Sequence, residues 1–147
     1  MSAFSFSRVA LAPAALAQSL GDETCGALVT FEGWVRNHND GRDVVRLEYE
    51  GYETLAVKEG ERIVAEALGK FDITHARCVH RLGALALGDL AVWVGVSAHH
   101  RREAFAACQY IIDEVKGRVP IWKKELYPGG DSGWINCEQI TCGVRVR

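Results

Sequence analysis

The sequence predicts an α+β fold in a single domain spanning residues 1–147, and three observations predict it. Two long stretches, Glu53 to Lys70 and about Arg101 to Lys116, carry apolar residues at helical spacing. Segments with period-two alternation or short apolar runs, such as Val44 to Glu50 and Leu90 to Ala98, lie on either side of them and read as strands. No repeat, low-complexity tract or linker interrupts the 147 residues, a length suited to one core.

Each element has a local reason. Residues 4–9 begin Phe-Ser-Phe-Ser and alternate as a short strand. Pro13 at a first helical position, followed by Ala-Ala-Leu-Ala-Gln-Ser-Leu, gives about two helical turns ended by Gly21. Residues 26–36 form a strand in which Gly33 marks a bulge or a close backbone approach. Asn37 to Asp43 is dense in turn residues and reads as a hairpin loop, with Val44 to Glu50 as the returning strand. The helix from Glu53 sets Leu55, Val57, Ile63, Val64, Ala67 and Leu68 against a charged face.

Ile73 to Leu82 and Leu90 to Ala98 are two further strands, connected around Gly83 to Asp89. The second is almost continuously apolar, which predicts a central place in its sheet. The helix from about Arg101 is expected to bury Phe105, Cys108, Ile112 and Val115. Residues 121–127 form the next strand, Pro128 to Gly133 a turn, and Trp134-Ile-Asn a last short strand.

Composition narrows the function. With 48% hydrophobic and 24% charged residues the chain is ordinary for a globular protein. A net charge of −2 excludes a general nucleic-acid binder, which is basic over its whole domain. No window approaches the ~20 apolar residues of a membrane span, and Met-Ser-Ala-Phe-Ser-Phe-Ser-Arg lacks the pattern of a secretory leader. Cys25, Cys78 and Cys108 sit in apolar runs and read as reduced core residues, which fits a cytoplasmic protein. Cys137 and Cys142 have no histidine at metal-binding spacing, so no metal site is expected.

The candidate chemistry is cationic. His99, His100, Arg101 and Arg102 stand where a helix begins, although cations face the positive end of its dipole there. An anion held between the helix amides and these side chains would account for them, and so would solvated arginines after a strand end. Lys116 closes the same helix beside Ile112 and Val115. There it is either a snorkelling lysine or a site residue, and the helix dipole favours its charged form. Lys123 and Lys124 are adjacent on a strand and point to opposite faces, Lys123 with Ile121 and Glu125, Lys124 with Trp122 and Leu126. Arg36 ends a strand before a polar loop, as a binding residue or as a cap on the sheet. There is no Walker loop, nucleophile elbow, HExxH or dinucleotide fingerprint.

Val35-Arg-Asn-His-Asn39, His80-Arg-Leu-Gly83, Gly88-Asp89, Val94-Gly-Val96, His100-Arg101, Ala104-Phe105, and Lys116 followed by Pro120-Ile-Trp-Lys-Lys-Glu125 together resemble the large, catalytic subunit of molybdopterin synthase. The likeness runs in order from about residue 26 to 134. It implies an α/β hammerhead with an additional antiparallel sheet. It also implies an enzyme of molybdenum cofactor biosynthesis that converts cyclic pyranopterin monophosphate into molybdopterin. The two sulfurs would arrive as a thiocarboxylate on the C-terminal Gly-Gly of a small ubiquitin-like subunit. Two of each subunit would form a heterotetramer around a large-subunit homodimer, with no resident cofactor.

Carried over by position, the resemblance assigns Arg36, His100 and Arg101 to the precursor and its phosphate. It places Lys116 at the reaction centre beside the inserted tail, with Lys123 assisting, and Trp34, Val35, Lys124 and Glu125 around the same pocket. The chain reads Ser97-Ala-His-His-Arg101 where the family commonly has Ser-Ala-His-Arg, and His100 is aligned because it directly precedes Arg101. The tail after Trp134 matches less well. Two other classes fit parts of the pattern: a cysteine-persulfide sulfurtransferase using Cys137 or Cys142, and a non-enzymatic phosphoanion-binding module.

Overall fold

Two sheets divide most of the strands between them in the computed structural model, which describes residues 2–39 and 41–137. The first has the order β1 (Phe4–Ser7), β6 (His75–Arg81), β8 (Leu90–Ala98), β2 (Ala27–Trp34). β1 runs parallel to β6 and the other pairs are antiparallel. As its unbroken apolar run predicts, β8 lies inside the sheet and is buried along nearly all its length. Two 18-residue helices, α2 (Glu53–Lys70) and α3 (Arg101–Arg118), cover one face, while the short α1 (Pro13–Gln18) touches β8.

The main core lies between this sheet and the long helices, with Phe4, Ile63, Val94, Val96, Ile111 and Val115 at its centre. Each such side chain removed from water contributes about 1.5–3 kcal/mol before chain entropy is charged against it. Gly60 on the inner face of α2 lets β1 approach, because a Cβ there would fall on the Phe4 ring. The expected inner residues Ile63, Val64 and Ala67 are buried, but Leu55 and Leu68 stay exposed. On α3 the buried line is Ala104, Ala107, Cys108, Ile111, Ile112 and Val115, whereas Phe105, expected inside, is exposed. Small alanines against the sheet let the helix pack closely, and this rotates Phe105 outward.

The second sheet has the order β10 (Gly130–Asp131), β9 (Ile121–Tyr127), β5 (Arg46–Gly51), β7 (Gly83–Ala86), with β11 (Ile135–Asn136) also pairing with β9. It has its own small core of Val35, Val44, Leu47, Leu85 and Ala91. Two expectations are corrected here. Residues 26–36 and 44–50 are not two arms of one hairpin: β2 pairs with β8, and β5 pairs with β7 and β9. The register shift at Gly33/Trp34 turns the chain out of the first sheet, and Val35 then bonds to Gly88 and Asp89. The intervening loop makes its own small ladder, β3 (His38–Asn39) with β4 (Arg42–Asp43). Gly83 to Asp89, expected as a connection, contains β7, four residues too short and too rich in alanine and glycine to show a period.

Cys78 and Cys108 are buried as expected, while Cys25 is only half-buried. Cys142 lies outside the described residues. No helix among the described residues is long and apolar enough to cross a membrane.

Candidate active site

One turn of chain brings the key lysines together. Pro120 cannot extend α3 and holds Val119 extended (φ −80°, ψ 128°), so the chain leaves the helix and enters β9 directly. Lys116 in the last turn of α3 and Lys123, third in β9, thus open onto one cavity of about 250 Å3. The same cavity is lined by Trp34 and Arg36, which follow the bulge at the end of β2, by His38 and Asn39 of β3, by Val44, and by Leu47, Tyr49 and Glu125 from β5 and β9. The period of β9 explains the choice of face: Ile121 and Glu125 are buried with Lys123 between them, and Tyr49 is the cross-strand partner of Lys123.

Glu125 is only 3% exposed and fully engaged. Its Oε2 accepts hydrogen bonds from Asn39 Nδ2 (2.7 Å) and from Lys123 Nζ (3.1 Å), and its Oε1 accepts one from the Tyr127 hydroxyl (2.7 Å). Burial pushes its pKa upward, but the hydrogen bond from Tyr127, the charge of Lys123 and the bond from Asn39 outweigh burial and leave it below the usual carboxylate range. It therefore stays ionised and fixes the Lys123 side chain, which is 14% exposed. Among the described lining residues Glu125 is the one carboxylate, set against Arg36, Lys116 and Lys123. The described lining is left positive.

Lys116 lines the cavity and is exposed as a residue, while protein atoms gather around its amine. Desolvation lowers its pKa, Lys123 and Arg36 lower it further, and Cys137 opposes them. The helix dipole, expected from sequence to favour the charged form, acts against this desolvation. Cys137, far from the basic residues in sequence, lies within electrostatic reach of Lys116 and of Tyr49.

The other expected site residues fall elsewhere in the chain. Val35 is buried in the small core beneath Trp34 and does not line the cavity. Lys124 points to the opposite face of β9, 3.5 Å from Glu48 and over the ring of Trp134 at 4.9 Å. His100 is the N-cap of α3 and Arg101 its first residue, both exposed. Fifteen residues of helix separate Arg101 from Lys116, about 22 Å at 1.5 Å per residue. The single-chain pocket walled by His100 and Arg101 that adjacency in sequence suggests is therefore not formed. Tyr49, Leu47 and Val44 were missed as lining residues because alternating aromatic and aliphatic residues on a strand read as core. His38 and Asn39 belong to a segment whose likeness to the family was the signal available. Among the described residues no group of three His, Cys, Asp or Glu side chains could hold a metal ion.

A family profile described as MoaE protein matches residues 6–118. Among curated relatives, the molybdopterin synthase catalytic subunit of Pyrococcus abyssi is 49% identical over 116 residues, covering 79% of this chain and 78% of that protein. The molybdopterin synthase catalytic subunit of a Nostoc species is 40% identical over 138 residues, covering 89% and 84%. The crystal structure of molybdopterin synthase from Staphylococcus aureus superposes with a TM-score of 0.87 at 35% identity, covering 92% of this chain and 98% of that one. The chain belongs to the MoaE protein family.

Proposed function

We propose that this chain is the catalytic subunit of a molybdopterin synthase, which converts cyclic pyranopterin monophosphate to molybdopterin with sulfur from a thiocarboxylated small ubiquitin-like subunit. The observation that carries the reading is the convergence of Arg36, Lys116 and Lys123 on one cavity whose one carboxylate among the described lining residues is already committed to Lys123. Both reactants are anionic, a cyclic phosphate and a thiocarboxylate, and such a cavity favours both. Lys116 and Lys123 stabilise negative charge as sulfur attacks and the acyl group departs, an effect strengthened where water is excluded.

At about 250 Å3 the cavity is smaller than a typical small-molecule site, so it suits the inserted tail with the pterin extending past its rim. His100 and Arg101 are too far from Lys116 to reach the same small molecule within one chain. The homodimer implied by the family resemblance resolves this if a second copy supplies them. An apolar groove of Val29, Phe31, Phe105 and Ile112 flanks that end of α3, and Phe105 is 61% exposed there. A second copy seated on this groove, within a heterotetramer that includes the small subunits, completes the phosphate side of each site.

The test is to mix the chain with thiocarboxylated small subunit and the cyclic precursor, and to look for a dithiolene pterin by mass. Lys116→Ala is expected to abolish the product while the subunits still assemble. Sulfur transfer at the wild-type rate by that variant overturns the assignment. The placement of Cys137 near Lys116 supports one second reading, a cysteine-persulfide route. Cys137→Ser is expected to retain sulfur transfer, and its loss with assembly intact favours the second route.

A further inference from the structure

We infer, on the reading of this cavity as the reaction site, that Asn39 is a positioning residue. Its amide sets Arg36 and Lys123, cations on two walls of the cavity, in a fixed relation through Glu125.

Asn39 ends β3 and is half-buried, three residues after Arg36. Its side chain bridges two charges of opposite sign. Oδ1 accepts a hydrogen bond from Arg36 Nη2 at 3.3 Å, and Nδ2 donates one to Glu125 Oε2 at 2.7 Å. The same Oε2 is 3.1 Å from Lys123 Nζ. Arg36, Asn39, Glu125 and Lys123 are thus joined in series, and all of them line the cavity. The direction of the amide follows from its neighbours. A guanidinium only donates and an ionised carboxylate only accepts, so the oxygen turns to Arg36 and the nitrogen to Glu125.

The amide is matched to this place. An aspartate would set a second negative charge against Glu125, and a leucine would offer neither donor nor acceptor. The bond to Glu125 is short and charge-assisted, which makes it the stronger of the two. Holding the β3–β4 ladder against β9 does not depend on Asn39 alone. Arg42, its cross-strand partner, lies over the Tyr127 ring at 3.8 Å, and the Tyr127 hydroxyl donates to Glu125 Oε1 at 2.7 Å. What the amide adds to that second attachment is the link to Arg36. In the proposed reaction Arg36 meets the precursor and Lys123 the inserted tail, so one side chain governs the spacing of the two reactants.

The experiment is a double-variant cycle. Sulfur transfer is measured with the complete partner and precursor for Asn39→Ala, Arg36→Ala and the chain carrying both. Asn39→Ala is expected to lower kcat/KM about tenfold, through loss of a charge-assisted bond and a weaker one. In the Arg36→Ala background the same substitution is expected to cost only about threefold, because one partner of the amide is already gone. An equal cost in both backgrounds, or none in either, makes Asn39 a tie of the hairpin alone and overturns the inference. Should Ala prevent folding, a reciprocal pair decides. Asn39→Asp is expected to be less active than wild type, and adding Glu125→Gln, which returns a donor opposite the new carboxylate, to regain about fivefold. Absence of any regain overturns the inference. A wild-type chain that makes no dithiolene product refutes the proposed function instead, and the cycle is then read on binding of inorganic phosphate. A loss with Asn39→Ala that shrinks in the Arg36→Ala chain supports the positioning role, and an equal loss in both overturns it.

Discussion

A single carboxylate decides the geometry of the cavity at the residue scale. Glu125 holds Lys123 at 3.1 Å and ties the β3–β4 ladder to β9 through Asn39, so its charge orients one lysine and its oxygens hold the rim. Glu125→Gln keeps the size but removes the charge. Sulfur transfer is expected to fall about 10–100-fold in kcat, because the lysine pair loses both its anchor and its counter-charge. Stability is expected to drop by about 1–3 kcal/mol, less than for a fully enclosed ion pair, since Lys123 can turn toward the cavity. Wild-type kcat in this variant means Lys123 needs no such anchor. Arg36, Lys116, Lys123 and Glu125 were named as site residues through the family resemblance, while the alternation of Pro-Ile-Trp-Lys-Lys-Glu showed only that Lys123 and Lys124 face opposite ways. Which of the two lysines faces the cavity follows from the pairing of β9 with β5, which sets Lys123 beside Tyr49. Tyr49 was not legible as a cavity residue, since an aromatic on a strand has no local mark that separates a cavity lining from core.

At the scale of elements, long periodic segments were readable and pairing was not. Both long helices and the central place of β8 followed from apolar spacing, a local property. The partners of β2 and β5 depend on where the bulge at Gly33/Trp34 sends the chain, which no short window contains. Contacts between elements also set limits that propensity would miss. Gly60→Ala should favour α2 by up to about 1 kcal/mol from helix propensity alone. The added methyl would meet the Phe4 ring and push β1 from the helix, which costs about 1–3 kcal/mol as overpacking. The expected net result is a lower urea midpoint than wild type, and a higher midpoint means that β1 yields freely. The α2–α3 contact is further held by Arg118, which bonds Glu59, Glu66 and Glu114. Arg118→Met is expected to lower the melting temperature by a few degrees, because three carboxylates are left facing one another.

For the whole molecule, burial of His80 links folding to pH. Its pKa is lowered from 6.5 to about 4, so between those values the unfolded chain binds a proton that the folded chain refuses. Stability from this group is therefore present above pH 6.5 and is lost as pH falls toward 4, on the order of 3 kcal/mol in all. Urea titrations across that window are expected to show the slope in wild type and a flatter curve in His80→Gln. The larger question is how one small chain would serve the two anions of the proposed reaction. The stretch from Ser97 to Glu125 reads in sequence as one basic region, but the rigid α3 helix sets Arg101 and Lys116 about 22 Å apart. A homodimer in which each site takes Lys116 from one copy and His100 and Arg101 from the other predicts complementation. Lys116→Ala and Arg101→Ala chains are each expected to be inactive or nearly so. Mixed and allowed to re-form dimers, half would be hybrids, each with one site free of both substitutions and one carrying both, so about a quarter of wild-type activity should return. A mixture as inactive as its components would place His100 and Arg101 outside the neighbouring site, and the apolar groove beside Phe105 would then have to serve another surface.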